Sequence, residues 1–136
     1  AGQESRHNLI YWRYGDYAGV GPGAHGRICS PAGRIATAAI RLPERWIDTV
    51  RRQGHGFEEM TVVSDADAAR EHLLMNLRLS EGLDLAAYER RWGMRPATAR
   101  IAALAEQGLL KLDGDILAAT PAGRLLLNRV IAELLN

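Results

Sequence analysis

His7-Asn8-Leu9-Ile10-Tyr11-Trp12 sets an imidazole a few residues ahead of two aromatic rings, and Gly19, Gly21, Gly23 and Gly26 follow close behind. An imidazole can ligate a metal, and His7 stands beside the two rings. The rings of Tyr11 and Trp12 offer flat apolar faces with polar tips, suited to a planar ligand. Glycine at this density allows positive φ and brings bare backbone against a bound molecule. Gly21, Gly23, Ala24 and His25 are the ligand-facing candidates of that run, and the small neighbours of His25 leave its ring exposed. Each assignment has a plainer counterpart that stays open on residues alone. His7 can be a surface histidine, Tyr11 and Trp12 can be core aromatics, and His25 can be a turn residue.

Gly21-Pro22-Gly23-Ala24-His25-Gly26 also satisfies the G-x-G-x-x-G pattern of dinucleotide binding. That pattern works only when the last glycine opens a helix whose N-terminus meets the pyrophosphate. Here Arg27-Ile28-Cys29-Ser30-Pro31 follows, which is strand-like and soon broken by proline. The dinucleotide reading therefore fails, and a backbone wall beside some other cofactor survives. The remaining chemistry-bearing residues read as structural: His72 as a half-buried helix flank, His55 as a solvated loop, Cys29 as an inert small hydrophobe in a strand, and Arg51-Arg52 as a solvated helix end.

The elements that must position these residues come in two textures. Residues 1–63 are glycine-rich and aromatic, with strand-like runs at 17–20, 27–30 and 35–40, a turn at Pro31-Ala32-Gly33-Arg34, and a short helix from Pro43 to Arg52. From Ser64 the texture is helical. A helix capped at Ser64 runs toward Gly82 on Ala69, Leu73 and Leu77, and a second runs from Asp84 to Trp92. A third follows Pro96, with Ile101, Leu104 and Ala105 facing inward. Leu109–Leu112 and Asp115–Ala119 flank Asp113-Gly114 as a hairpin, and Thr120-Pro121 opens a last helix with Leu127, Val130, Ile131 and Leu134 on its buried face. The sequence predicts an α+β chain: a short antiparallel strand region, then a winged-helix-like C-terminal helical domain.

Charge and composition narrow the function. The chain has 136 residues, 47% hydrophobic and 24% charged, ordinary for a globular domain. Residues 1–63 carry eight Arg against six acids, and residues 64–136 carry nine Lys or Arg against ten acids, so neither half is a basic footprint. The third helix offers only Arg95 and Arg100 near its start, too few for phosphate-driven binding. No nucleic-acid partner is expected. No apolar run approaches the ~20 residues of a transmembrane helix. One cysteine and no secretory leader pattern lead to a reducing, cytoplasmic setting.

His7-Asn8-Leu9-Ile10-Tyr11-Trp12 resembles the His-Asn-x-x-Tyr-Trp motif of the heme chaperone branch of the oxygen-independent coproporphyrinogen III oxidase-like radical S-adenosylmethionine proteins. Gly19–Gly26 is similar to that family's glycine loop, Leu77-Arg78-Leu79-Ser80-Glu81-Gly82-Leu83 to a segment of its C-terminal domain, and Thr120–Arg124 to that domain's ending. The likeness runs over nearly the whole chain, and its first two motifs are the specific ones. It implies the C-terminal portion of a longer protein. Residues 1–40 would be remnant strands of a partial (β/α) barrel, 41–63 a connecting helix and loop, and 64–136 the C-terminal domain. An upstream radical domain would hold a 4Fe–4S cluster on three cysteines, which this chain lacks, so the chain alone should perform no radical chemistry.

The resemblance further implies heme binding and delivery, with decarboxylation of coproporphyrinogen III as the alternative; the element order by itself leaves a winged-helix nucleic-acid module as a third reading, which the charge pattern disfavours. It assigns His7, Tyr11 and Trp12 to heme, with His7 on the iron and Arg6 and Arg13 available to propionates. It assigns Gly21, Gly23, Ala24 and His25 to the S-adenosylmethionine side. No cofactor is expected to be held tightly by this chain alone. Its partners would be the upstream radical domain, heme or porphyrinogen, and a second copy covering apolar strand faces within residues 1–40.

Overall fold

The computed structural model describes residues 6–135, with side chains from Asn8 onward. These separate into two compact units, residues up to 11 together with 15–64, and residues 12–14 together with 65–135.

The first unit begins with α1 (Arg6–Trp12). Its centre is an antiparallel sheet in the order β1 (His25–Ser30), β2 (Gly33–Ala39), β3 (Phe57–Val62). Pro31 and Ala32 make the β1–β2 turn, and Gly33 leaves it at φ +116°. The Ser30 hydroxyl closes that turn, accepting from the Ala32 N–H at 3.2 Å and donating to the Gly33 carbonyl at 2.9 Å. Between β2 and β3 lies α2 (Pro43–Gln53), with proline at its first turn. The helix stops at Gly54 (φ +79°), whose N–H returns to the Val50 carbonyl at 2.9 Å.

Four readings change here. Residues 6–12 are helical, not strand. The expected strand at Tyr17–Val20 is reduced to one bridge, Tyr17 exchanging both backbone bonds with Arg27 at 2.8 Å. Strand β3 occupies what reads as loop: five of its six residues are exposed, so Phe57-Glu58-Glu59-Met60-Thr61-Val62 has no alternating burial to betray it. It forms because β2 would otherwise present an open edge. Cys29 is exposed rather than packed as a hydrophobe.

The second unit runs α3 (Asp65–Asn76), β4 (Leu83–Asp84), α4 (Leu85–Trp92), α5 (Thr98–Glu106), β5 (Leu110–Asp113), β6 (Ile116–Ala119), α6 (Pro121–Leu125) and α7 (Leu127–Leu135). Its small antiparallel sheet has the order β4-β6-β5. The two-residue strand β4 is invisible in the sequence. It pairs Leu83 with Leu117 and Asp84 with Ile116.

Helix α3 ends at Asn76 rather than at Gly82, because residues 77–82 turn instead of coiling on. The Asn76 amide donates to the His72 and Trp12 carbonyls at 3.2 and 3.0 Å. Helix α5 starts two residues past Pro96, with Ala97 as its cap. The expected last helix is two: Leu126 (φ −112°) interrupts it. Gly123 lies so close to the Leu109 carbonyl that a Cβ would collide with it, which ties α6 to the strand below.

The core of this unit collects Leu73, Leu77, Leu83, Leu85, Leu104, Leu117 and Val130, all essentially without solvent contact. Each such side chain contributes roughly 1.5–3 kcal/mol by leaving water. Ile101, Ile131 and Leu134 join them as their spacing requires, while Ala105 and Leu127 are half-buried. No helix among the described residues is long and apolar enough to cross a membrane.

Candidate functional site

In the first unit the glycine run lies across the end of the sheet. Gly19 and Gly26 serve packing, because a Cβ on Gly19 would enter the His25 backbone and one on Gly26 would stand 2.6 Å from the Thr37 hydroxyl. Gly21 (φ +106°) and Gly23 (φ +71°) serve the backbone path. The Gly23 N–H is already bound to the Ile40 carbonyl at 2.9 Å, and the Ala24 N–H and carbonyl bond to Gly21 and Ala39. An amide cradle for a phosphate is therefore partly used up, which is a second physical reason against the dinucleotide reading.

Two concave surfaces flank this run. Gly19 and Gly21 form one wall of an open cleft of about 200 Å³ whose other side is Trp46, Val50, His55 and Phe57. Trp46 lies on Gly56, where no Cβ could fit, and His55 stacks on Phe57 with ring centroids 5.4 Å apart. That volume lies below the range of pockets that enclose a drug-sized ligand. It takes an edge or one ring, not a whole porphyrin.

The second surface is a trough of about 140 Å³ on the sheet face. Register sets His25, Ala38 and Glu59 in one row and Arg27, Ala36 and Thr61 in the next. The two alanines give a low floor between an imidazole and a guanidinium on one side and a carboxylate and a hydroxyl on the other. Opposite charges across a short floor suit a zwitterionic or strongly polar group.

The loop before β1 is held by a buried arginine. Arg34 donates to Asp16 Oδ1 at 3.0 Å, to the Gly15 carbonyl at 2.9 Å and to Cys29 Sγ at 3.5 Å. The Cys29 N–H donates to the other Asp16 oxygen at 2.9 Å. That backbone hydrogen bond, with Arg34 behind it, holds the Asp16 carboxyl below the usual carboxylate range, against a smaller opposing effect of burial.

His7 falls in α1, but its side chain and that of Arg6 lie outside the described residues. Tyr11 is half-buried and meets Tyr17 edge to face, ring centroids 4.3 Å apart. In the second unit Trp12 is half-buried, and Arg13 forms a two-pronged pair with Glu81 at 2.8 and 3.0 Å. This hydrogen-bonded pairing holds the Glu81 carboxyl low.

Sequence reasoning read His72 as a half-buried helix flank, which it is, but did not join it to Tyr14 and Trp92, which the second unit brings together with it. Tyr14 is 4% exposed and takes a left-handed φ of +59°, costly for a tyrosine by about 1–2 kcal/mol. Its ring stacks on His72 at 5.0 Å and meets Trp92 edge-on at 5.9 Å. The Trp92 indole N–H donates to His72 Nδ1 at 2.8 Å, and the Arg91 guanidinium sits 4.8 Å from the Trp92 ring. Burial raises the nearby Tyr88 hydroxyl above its ordinary pKa, and that hydroxyl donates to the Ala69 carbonyl at 2.9 Å. The one sequence signal for this cluster was Trp92 standing just before the helix-ending Gly93.

Among the described residues no three of His, Cys, Asp and Glu converge as metal ligands. With one cysteine in the chain, a 4Fe–4S cluster is not held by these residues.

Residues 63–126 match the HemN C-terminal domain family. The chain is 38% identical to the heme chaperone HemW of Mycobacterium tuberculosis over 99% of its length, and 33% identical to that of Escherichia coli K12 over 96%. It is 32% identical, over 99%, to the mitochondrial radical S-adenosyl methionine domain-containing protein 1 of Bos taurus. It spans about a third of each of these relatives. A solved Escherichia coli coproporphyrinogen III oxidase, HemN, described as a radical SAM enzyme, has the same fold at a TM-score of 0.67 and 21% identity, over 88% of this chain and 28% of that one.

Proposed function

We propose that the chain, whose residues 63–126 match the HemN C-terminal domain family, is the C-terminal portion of a radical S-adenosylmethionine protein that binds heme and delivers it to an acceptor. The observation that carries this reading is that proteins named heme chaperones match 96–99% of the chain, well beyond the family domain alone. In this reading an upstream domain supplies the 4Fe–4S cluster. His7 ligates heme iron, with Tyr11 and Trp12 beside the macrocycle. Arg13 reaches a propionate only by giving up Glu81. The loop of Gly21, Gly23, Ala24 and His25 faces S-adenosylmethionine, and the charged trough beside His25 suits its amino-acid end.

The sheet of the first unit is antiparallel throughout. In this reading it borders the parallel barrel of the complete protein, and antiparallel edge strands can extend such a sheet. In the second unit we read the order α3-β4-α4-α5-β5-β6, with β6 central, as winged-helix-like. It serves packing rather than DNA, because Arg95 is engaged by Asp115 at 2.8 Å and Glu89 at 3.5 Å. Decarboxylation of coproporphyrinogen is the competing reading, and only likeness of fold favours it.

Heme titration of the full-length protein tests the assignment. A Soret band that His7→Ala weakens at least tenfold in affinity supports it. Turnover of coproporphyrinogen III with no saturable heme binding would replace it with the oxidase reading.

A further inference from the structure

A cavity of about 430 Å³ lies in the second unit, and none of the residues assigned to heme or S-adenosylmethionine lines it. Leu73, Tyr88 and Leu134, all buried core residues, form its floor, and Arg70, Arg95 and Arg100 stand around it. A volume of this size lies within the range of pockets that enclose small organic ligands.

The three arginines differ in what they already hold. Arg95 is matched by two carboxylates, Asp115 and Glu89. Arg100 makes one hydrogen bond, to the Glu133 carbonyl at 3.2 Å, and has no carboxylate partner among the described residues. Arg70, exposed one turn before the buried Leu73, has no ionic partner there. Two cations are thus left uncompensated beside an apolar floor. Arginine stems extend such a floor while their planar heads stay available for two-pronged contact with an anion.

We propose that this cavity binds a small amphiphile: an apolar body, aromatic or branched, seated on Leu73, Tyr88 and Leu134, with one carboxylate or phosphate-type head between Arg70 and Arg100. A neutral apolar ligand would leave both guanidinium groups without a counter-anion, and a purely hydrophilic anion would leave the floor wet. Only the combination satisfies both surfaces. Position favours this too. Pro96 and Ala97 line the same cavity at the start of α5, whose cap residue offers no side-chain acceptor, so the local field there favours a negative head. The proposal stands independently of heme handling, since none of its residues belongs to the assigned heme or S-adenosylmethionine sets.

The test uses the full-length protein and three probes: 1-naphthaleneacetate, its methyl ester, and naphthylmethylphosphonate. Calorimetry gives affinity, and amide shifts in a two-dimensional NMR spectrum give location. The acid is expected to bind at least tenfold tighter than the ester and to move the amides of Ala66, Ala97 and Leu134. Arg70→Gln with Arg100→Gln should weaken the acid at least tenfold, leave the ester within twofold, and leave the unfolding midpoint nearly unchanged. A phosphonate that binds tighter than the carboxylate assigns the head to a phosphate ester; the reverse order assigns it to a carboxylic acid. Equal binding of acid and ester, insensitivity to the double substitution, or shifts confined to another surface would overturn the proposal. So would no binding of any probe at millimolar concentration. Loss of heme binding by His7→Ala has no bearing on any of these outcomes.

Discussion

At the scale of single residues, the glycine run divides by what a side chain would meet. Gly26→Ala pushes a Cβ into the Thr37 hydroxyl and the neighbouring backbone, so β1 and β2 must separate. Gly21→Ala meets nothing within 4 Å and suffers only from its positive φ. Urea unfolding should show a loss of about 3 kcal/mol for Gly26→Ala and about 1–2 kcal/mol for Gly21→Ala. The reverse order would mean that the loop, not the sheet, sets the packing.

Asp16 makes a prediction of opposite character, in pH. Its carboxyl is held low in the folded chain, so its contribution is complete above the ordinary carboxylate range and is lost as pH falls through the depressed folded value. Glu81, held low by Arg13, acts in the same direction. Asp16 is half-exposed, so after solvent screening its worth is about 1 kcal/mol. Asp16→Asn should lower stability by about that much at pH 7. It should also flatten the acid side of the stability profile. A profile that drops as steeply below pH 4 in Asp16→Asn as in the parent would assign acid sensitivity to other groups.

At the scale of elements, the caps decide where helices begin. Thr120 accepts from the Gly123 N–H at 3.0 Å and donates to the Gly108 carbonyl at 2.6 Å, so one hydroxyl both starts α6 and holds the turn after α5. Thr120→Ala should cost about 1–2 kcal/mol, near the upper end for a cap, while Thr120→Ser should restore most of it. Asp84 only caps α4, accepting from Ala87 at 2.8 Å, and Asp84→Ala should cost about 1 kcal/mol. Thermal unfolding followed by circular dichroism checks both.

Elements were legible wherever they carried their own punctuation. Pro43 with Gly54, Thr120 with Pro121, and Asp113-Gly114 mark local backbone preferences that hold in any surroundings. The strands β3 and β4 carried no such marks. Phe57–Val62 is nearly all exposed and Leu83–Asp84 is two residues long, so both exist only because a partner strand offers hydrogen bonds. The break at Leu126 likewise carries no mark in the sequence, where Leu125-Leu126-Leu127 runs on without Gly or Pro.

At the scale of the whole molecule, the apolar core belongs to the second unit: Leu73, Leu104, Leu117 and Val130 sit at its centre, and none of the clustered core residues comes from the β1–β2–β3 sheet. Leu104→Ala should therefore cost about 2–5 kcal/mol. The slowest-exchanging amides should lie in α5, β6 and α7, not in the β1–β2–β3 sheet. Slowest exchange in β2 would reverse this ranking.

What the sequence determined by itself was the list of locally coded parts: the capped helices, two hairpin turns, the leucine stripes that build the second unit, and a motif pair specific enough to name the family before any coordinates. Local backbone preference and hydrophobic spacing suffice for these. Only the tertiary structure decided the rest. It showed that two of the four glycines serve packing and two serve backbone path. It put His25 and Arg27 across an alanine floor from Glu59 and Thr61, and gathered Tyr14, His72 and Trp92 from distant positions. It also left Arg70 and Arg100 uncompensated beside an apolar cavity. These facts depend on register and on contacts between residues far apart in the chain, which no local spacing encodes.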